Sequence, residues 1–199
     1  MSPIGDRLNR MMGRTRFMVC RLFLQITGSD IAPLLGILNQ AGREAIASEG
    51  DLRVLGESLE QICQSLLDVQ HAWQAAANEG DIFWQEEEAG DYVNALFTDS
   101  AQRYLSQPSI GEEMGQDTLS FPMTRHIVVM ITVAAEGEVQ ELETDLADLN
   151  AMTEGLKSLI NLHYEGRLRA IQVHFSPARF GDQLTDEQVL LNFPELIPL

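Results

Sequence analysis

The run RHIVVMITVAAEG at 125–137 constrains the fold more than any other stretch of the chain. Nine consecutive positions are apolar or Thr, and charge closes both ends. A strand with one wet face alternates in polarity; this one does not, so it reads as a strand buried on both faces. Further on, RLRAIQVHF at 167–175 does alternate, with Ile171, Val173 and Phe175 on one face and Gln172 and His174 on the other. Between the two a helix is expected over about 145–160, showing Leu146, Leu149, Met152, Leu156 and Leu159 at helical spacing. Strand, helix, strand with these lengths is the spacing of a right-handed parallel crossover. The end of the chain belongs to the same unit. Thr185 and Gln188 form a capping box, and the short helix behind it presents Val189, Leu190 and Phe193 before Pro194 stops it. Leu196, Ile197 and Leu199 are then expected to cover the sheet or a neighbouring helix.

The N-terminal half is read from the same two periods. Met18, Cys20, Leu22, Leu24 and Ile26 fall on one parity of RFMVCRLFLQI, which predicts a strand near 16–26. A capped helix follows from Ser29 or Asp30, with Ile31, Leu34, Leu35, Leu38, Ala41 and Ala45 on one stripe. A break at 49–51 precedes a second helix carrying Leu52, Leu55, Leu59, Ile62, Leu66 and Val69. Past His71 and Trp73 the chain reads as irregular until a third helix over about 84–105, with Tyr92, Leu96, Ala101, Tyr104 and Leu105 inward. The Pro, Gly and Ser content of 107–122 marks a connection.

These elements compose an α+β fold: a small mixed sheet of at least three strands, a helical layer inserted between the first and second, and a C-terminal βαβα unit. Residues 1–14 read as a flexible basic arm. Residues 15–199 read as one domain, with a helical part at about 29–106, the linker at 107–122 and an α/β part at about 123–199. The segment FMVCRLFLQI is ten residues long and carries Arg21, so neither a bilayer span nor a secretory signal is expected. Cys20 and Cys63, each in apolar surroundings, read as small buried hydrophobes.

Charge narrows the function classes. The formal net charge is -17. Arg7, Arg10, Arg14, Arg16 and Arg21 all lie in the first 21 residues beside a single acid, Asp6, and Lys157 is the one lysine of the chain. So acidic a body is repelled by phosphate backbones, which argues against nucleic-acid binding. Arg7, Arg10, Arg14 and Arg16 are candidates for contact with an acidic partner or a membrane surface. Ile82, Phe83 and Trp84 stand against Glu86, Glu87 and Glu88, an apolar contact rimmed with charge and a candidate protein-docking site. The alternative is that the three apolar residues anchor the third helix to the sheet. His71, His126, His163 and His174 are too scattered for a metal cluster, and no nucleophile elbow, phosphate loop or dinucleotide fingerprint occurs. No catalytic residue, cofactor or metal is expected.

RHIVVMITVAAEG, LRAIQVHFSP and GDQLTDEQVLLNFPELIPL together resemble the domain-of-unknown-function 1517 family of cyanobacteria and chloroplasts, over about 15–199. The family includes a plant relative, the fluctuating-light acclimation protein of thylakoid and envelope. The resemblance implies a non-catalytic interaction, regulatory or assembly factor, cytoplasmic or peripheral on the thylakoid, with a photosynthetic complex as partner. Many relatives carry a hydrophobic segment before the first strand, and here an Arg/Met arm stands in that place. Two other readings remain. One is a small-ligand binder or enzyme with a pocket between sheet and helices, using His126, His174 or Glu136. The other is a homodimer joined through an exposed sheet edge.

Overall fold

A computed structural model describes residues 13–28, 31–105, 126–177, 182 and 184–199. The expected arm, apart from residues 13 and 14, and the expected linker lie outside the described residues, as does the Ser29/Asp30 cap. In chain order the elements are β1 (Phe17–Thr27), α1 (Ile31–Ala47), α2 (Leu52–Asp68), β2 (Trp73–Phe83), α3 (Glu86–Leu105), β3 (His126–Glu136), α4 (Leu149–Tyr164), β4 (Leu168–Ser176), α5 (Asp186–Asn192) and β5 (Ile197–Pro198). Asp51 caps α2 through the amides of Arg53 and Val54, and the Thr185/Gln188 capping box opens α5 as its sequence predicts.

The five strands form one sheet in the order β4-β3-β1-β2-β5. Every neighbouring pair is antiparallel, so the fold is α+β with an antiparallel rather than a mixed sheet. β1 and β3 sit inside the sheet, and their two parities pack against different layers. Met18, Leu22 and Ile26 with Ile127, Ile131 and Val133 join the core built by α1, α2 and α4. On the opposite face Phe17 and Val19 meet Ala89, Val93 and Leu96 of α3. Phe23, Val128 and Met130 meet Leu184, Val189 and Phe193 around α5. Helices therefore cover both sides, which is why β3 shows no polar alternation.

The expected parallel crossover between β3 and β4 is not formed: these strands are antiparallel neighbours. The reason lies in residues 137–148. That segment runs back along the sheet before the helix begins. Asn78 of β2 donates to the Thr144 carbonyl (2.9 Å) and accepts from the Leu146 amide (2.8 Å), at the level of Leu22 and Ile131 in mid-sheet. Buried Val139, Leu142 and Leu146 hold it down. α4, capped by Asp148 and about 24 Å long, then returns the chain to the end of β3, where the Glu136 amide donates to the Arg167 carbonyl (3.0 Å). The loop makes the crossing, so β4 must run the other way.

β2 is the strand the sequence does not announce. WQAAANEGDIF has small, acidic and glycine residues where strands usually carry branched ones. Gly80 is required there, because a Cβ would sit 2.3 Å from the Val19 carbonyl oxygen of β1. α3 starts at Glu86, two residues after its expected start, and turns Ala89, Val93, Leu96 and Ser100 inward, with Tyr92 and Ala101 half-buried. The side chains of Tyr104 and Leu105 lie outside the described residues. Three expectations for the C-terminus are corrected. Leu190 is 75% exposed, because α5 offers the sheet only Val189 and the following Phe193. Ile197 is 52% and Leu199 38% exposed, because they lie in and just after the edge strand β5.

Candidate docking site at the β2–α3 corner

β2 ends in Glu79, Gly80, Asp81, Ile82 and Phe83, still paired with β1, and α3 begins three residues later. Glu86, Glu87 and Glu88 occupy the first turn of α3, where the unpaired amides of a helix start favour negative charge. Asp81, Glu86, Glu87, Glu88 and Asp91 are all exposed, and none forms an ion pair among the described residues. The negative field reaches inward. The Tyr92 hydroxyl is pushed up by burial and then by the charges of Glu79 and Asp81.

The apolar half of the corner is divided. Trp84 is 7% exposed and belongs to the interior, the outcome that anchors α3 rather than offering a docking aromatic. Ile82 and Phe83 are half-buried, and the Phe83 and Tyr92 rings lie 5.3 Å apart at 43°. Two clefts border the corner. One, of about 180 Å³, lies between β2 and the 142–144 segment, lined by Met18, Asn78, Gly80, Ile82, Leu142 and Glu143 among others. The second, about 450 Å³ and open, is lined by Arg14, Thr15, Phe17, Trp84, Gln85 and Glu86.

The basic candidates separate. Arg7 and Arg10 lie outside the described residues, and Arg14 is exposed beside Glu86 at the second cleft. Arg16 is not a surface contact. It is buried, grips both carboxylate oxygens of Glu143 at 2.6 Å and donates to the Gly137 carbonyl at 2.8 Å. A guanidinium held in a bidentate pair inside the fold secures the 137–143 turn to β1.

The residue that sequence reasoning overlooked is Arg21. It sits at the centre of β1, 2% exposed, on the face under α3. Its Nε donates to Glu79 (2.8 Å), and its Nη1 reaches the Ser100 hydroxyl (2.8 Å), the Leu96 carbonyl (3.1 Å) and Asp99 (2.6 Å). Arg21 and Arg103 both stand over the Phe23 ring, at 4.8 and 5.4 Å from its centroid. Arg103 pairs with Asp99 (2.8 Å) and Glu195 and donates to the Asn192 carbonyl (3.0 Å), which joins α3 to the C-terminal segment. Burial raises the Asp99 carboxyl, but the two arginines outweigh it and hold the group below its ordinary value. This network fixes α3, and with it the acidic first turn, on the sheet. A lone arginine inside an apolar strand segment was the available signal.

The residues of the pocket alternative do not converge. β3 places His126 and Glu136 at its opposite ends, about 33 Å apart at the usual rise per residue. Glu136 pairs with Arg169 (2.8 Å), while His126 faces Asp186 at 3.9 Å. His174 lies opposite Met130, its ring held below the ordinary histidine value by burial and then by the charge of Arg21. No described helix is long and apolar enough to cross a membrane, and no group of three or more metal-ligating side chains occurs among the described residues.

The sequence profile of a family described as protein of unknown function (DUF1517) matches residues 16–199. The chain belongs to the DUF1517 family. No curated protein and no solved structure matches it. The DUF1517 span contains the whole β2–α3 corner and the Arg21 network, while Arg7, Arg10 and Arg14 fall before it.

Proposed function

We propose that this DUF1517 chain is a non-catalytic interaction factor, regulatory or assembling in role, that docks its β2–α3 corner on a basic surface of a protein complex at photosynthetic membranes. The observation that carries the reading is the run of exposed carboxylates Asp81, Glu86, Glu87, Glu88 and Asp91, which form no ion pair among the described residues. Glu86 and Asp91 are about 7.5 Å apart along the helix axis, within the screening length of about 8 Å at physiological salt, so an approaching partner meets the charges of the first helical turns together. Such a patch steers a basic surface into place and fixes its register. The half-buried Ile82 and Phe83 supply apolar contact at its centre. The photosynthetic setting is supported by the likeness of the strand and tail motifs to chains of cyanobacteria and chloroplasts. The arm with Arg7, Arg10 and Arg14 would hold the protein peripherally on anionic lipid.

The test is recovery of the tagged chain from broken photosynthetic cells, alongside a variant carrying Glu86→Lys, Glu87→Lys and Glu88→Lys. The reading expects a membrane-complex component that co-purifies with the parent chain, is released by high salt and is lost with the variant. Equal recovery by both chains overturns it.

A second reading, a small-ligand binder, draws on three buried polar atoms without a hydrogen-bond partner among the described residues: Gln172 Oε1, Ser176 Oγ and His126 Nδ1. A thermal-shift screen of polar metabolites against the parent chain and Ser176→Ala decides it. A compound that stabilises only the parent favours this reading, and no stabilisation disfavours it.

A further inference from the structure

β2 is paired with β1 from Trp73 to Phe83, with a bulge at Gln74, yet on its outer side β5 meets only Ala75 and Ala76. The Leu199 amide donates to the Gln74 carbonyl at 3.0 Å, so Gln74 turns its peptide group outward. Alternation along a strand then turns the peptide groups of Ala76, Asn78, Gly80 and Ile82 to the same outer side. Ile82 bears this out. Its amide is taken by the Asp81 side chain, Oδ1 at 2.7 Å, rather than by β1. The chain cannot continue along this edge, because Phe193 and Leu196 are packed on the α5 face just before β5 begins. Among the described residues no strand covers the edge beyond Ala76.

We propose that this open stretch, Asn78 to Ile82, takes an extended segment of the partner as an added strand, and that the segment alternates basic and apolar residues. The inference rests on the docking reading and specifies its backbone geometry. A residue placed opposite Gly80 shares the face of Gly80, where the cleft of about 180 Å³ is lined by Met18, Ile82 and Leu142. Residues opposite Glu79 and Asp81 point to the other face, beside those carboxylates. The pattern that fits is basic, apolar, basic. A basic side chain drawn to Asp81 would also release the Ile82 amide for the incoming carbonyl. The other outer strand of the sheet, β4, is flanked by Arg167 and Arg169, whose charges are matched by Glu165 and Glu136, so it offers a basic segment no unpaired carboxylate comparable to Asp81.

The probe is a fluorescein-labelled heptapeptide of alternating lysine and valine, compared with two versions N-methylated on its lysines or on its valines. Anisotropy measures binding to the full chain, and amide hydrogen exchange maps it. One N-methylated version should bind at least tenfold more weakly while the other matches the parent, since only one set of peptide amides faces β2. Exchange at Asn78, Gly80 and Ile82 should slow at least tenfold, exchange in β4 should not change, and Asp81→Lys should weaken binding at least tenfold. Equal binding by all three peptides without protection at these amides overturns strand addition and leaves the charge-driven docking intact. Binding by none of them overturns strand addition too, and the charge-reversal recovery then judges the docking reading separately. Protection of the same amides in the free chain, rising with its own concentration, would assign the edge to a second copy and likewise overturn the proposal.

Discussion

Replacing Arg21 by methionine should cost the protein about 3 kcal/mol. Methionine keeps the apolar stem against Phe23 but removes the guanidinium from four acceptors. Glu79 and Asp99 are each about two-fifths exposed, so once orphaned they rehydrate, and each loss counts for no more than about 1 kcal/mol. The Ser100 hydroxyl is fully buried, and leaving it without its partner costs about 1–2 kcal/mol more. In a chain of 199 residues each kcal/mol moves the melting temperature by about 2–4 °C, so the expected fall is about 6–12 °C. Urea titration followed by far-ultraviolet circular dichroism measures the change directly. Ser100→Ala provides the internal check: it should destabilise the parent but recover about 1 kcal/mol in the methionine background, because the orphaned hydroxyl is then gone. A methionine variant within about 0.5 kcal/mol of the parent, or a Ser100→Ala cost that is the same in both backgrounds, would refute the clamp.

Gly80→Ala should lose about 2–3 kcal/mol, since its Cβ meets a backbone oxygen that cannot swing aside, whereas Gly90→Ala in α3, with open space around it, should gain about 0.5–1 kcal/mol; paired urea titrations decide both. His174 is held below its ordinary value of 6.5, so the unfolded chain binds the extra proton first; its contribution is fully present above that pH and lost as pH falls through the folded value. A His174→Gln variant should flatten the stability–pH curve just below pH 6.5, and an unchanged slope would contradict the assignment. Burial, helped by Glu79, pushes the Cys20 thiol up to about 12, and burial raises Cys63 as well, so neither should react with a thiol reagent at pH 8 until urea unfolds the chain, when both should.

Much of the architecture is written in local spacing. α1 and α2 follow from leucines at three- and four-residue intervals, and the two-sided burial of β3 follows from its unbroken apolar run. The Thr185 box is local chemistry and appears as written. What sequence could not supply is long-range. β2 is held as a strand by two partners, not by its own composition, and its alanines and glycine suit close packing rather than strand propensity. The direction of β4 depends on where 137–148 runs, and that is set by Asn78, more than sixty residues earlier. At the candidate site the acidic turn was legible because helix-start carboxylates are a local signal. The fates of Trp84, Arg16 and Arg21 were not, since each depends on a partner distant in the chain.

Docking places the β2–α3 corner against a protein partner. A photo-crosslinking residue placed at Glu87, with a control at Glu154 on the exposed surface of α4, tests it in photosynthetic cells. Docking predicts a discrete adduct from position 87, weakened by high salt and identifiable by mass spectrometry, with none from position 154. Identical adducts from both positions, or an adduct only from position 154, would contradict the account.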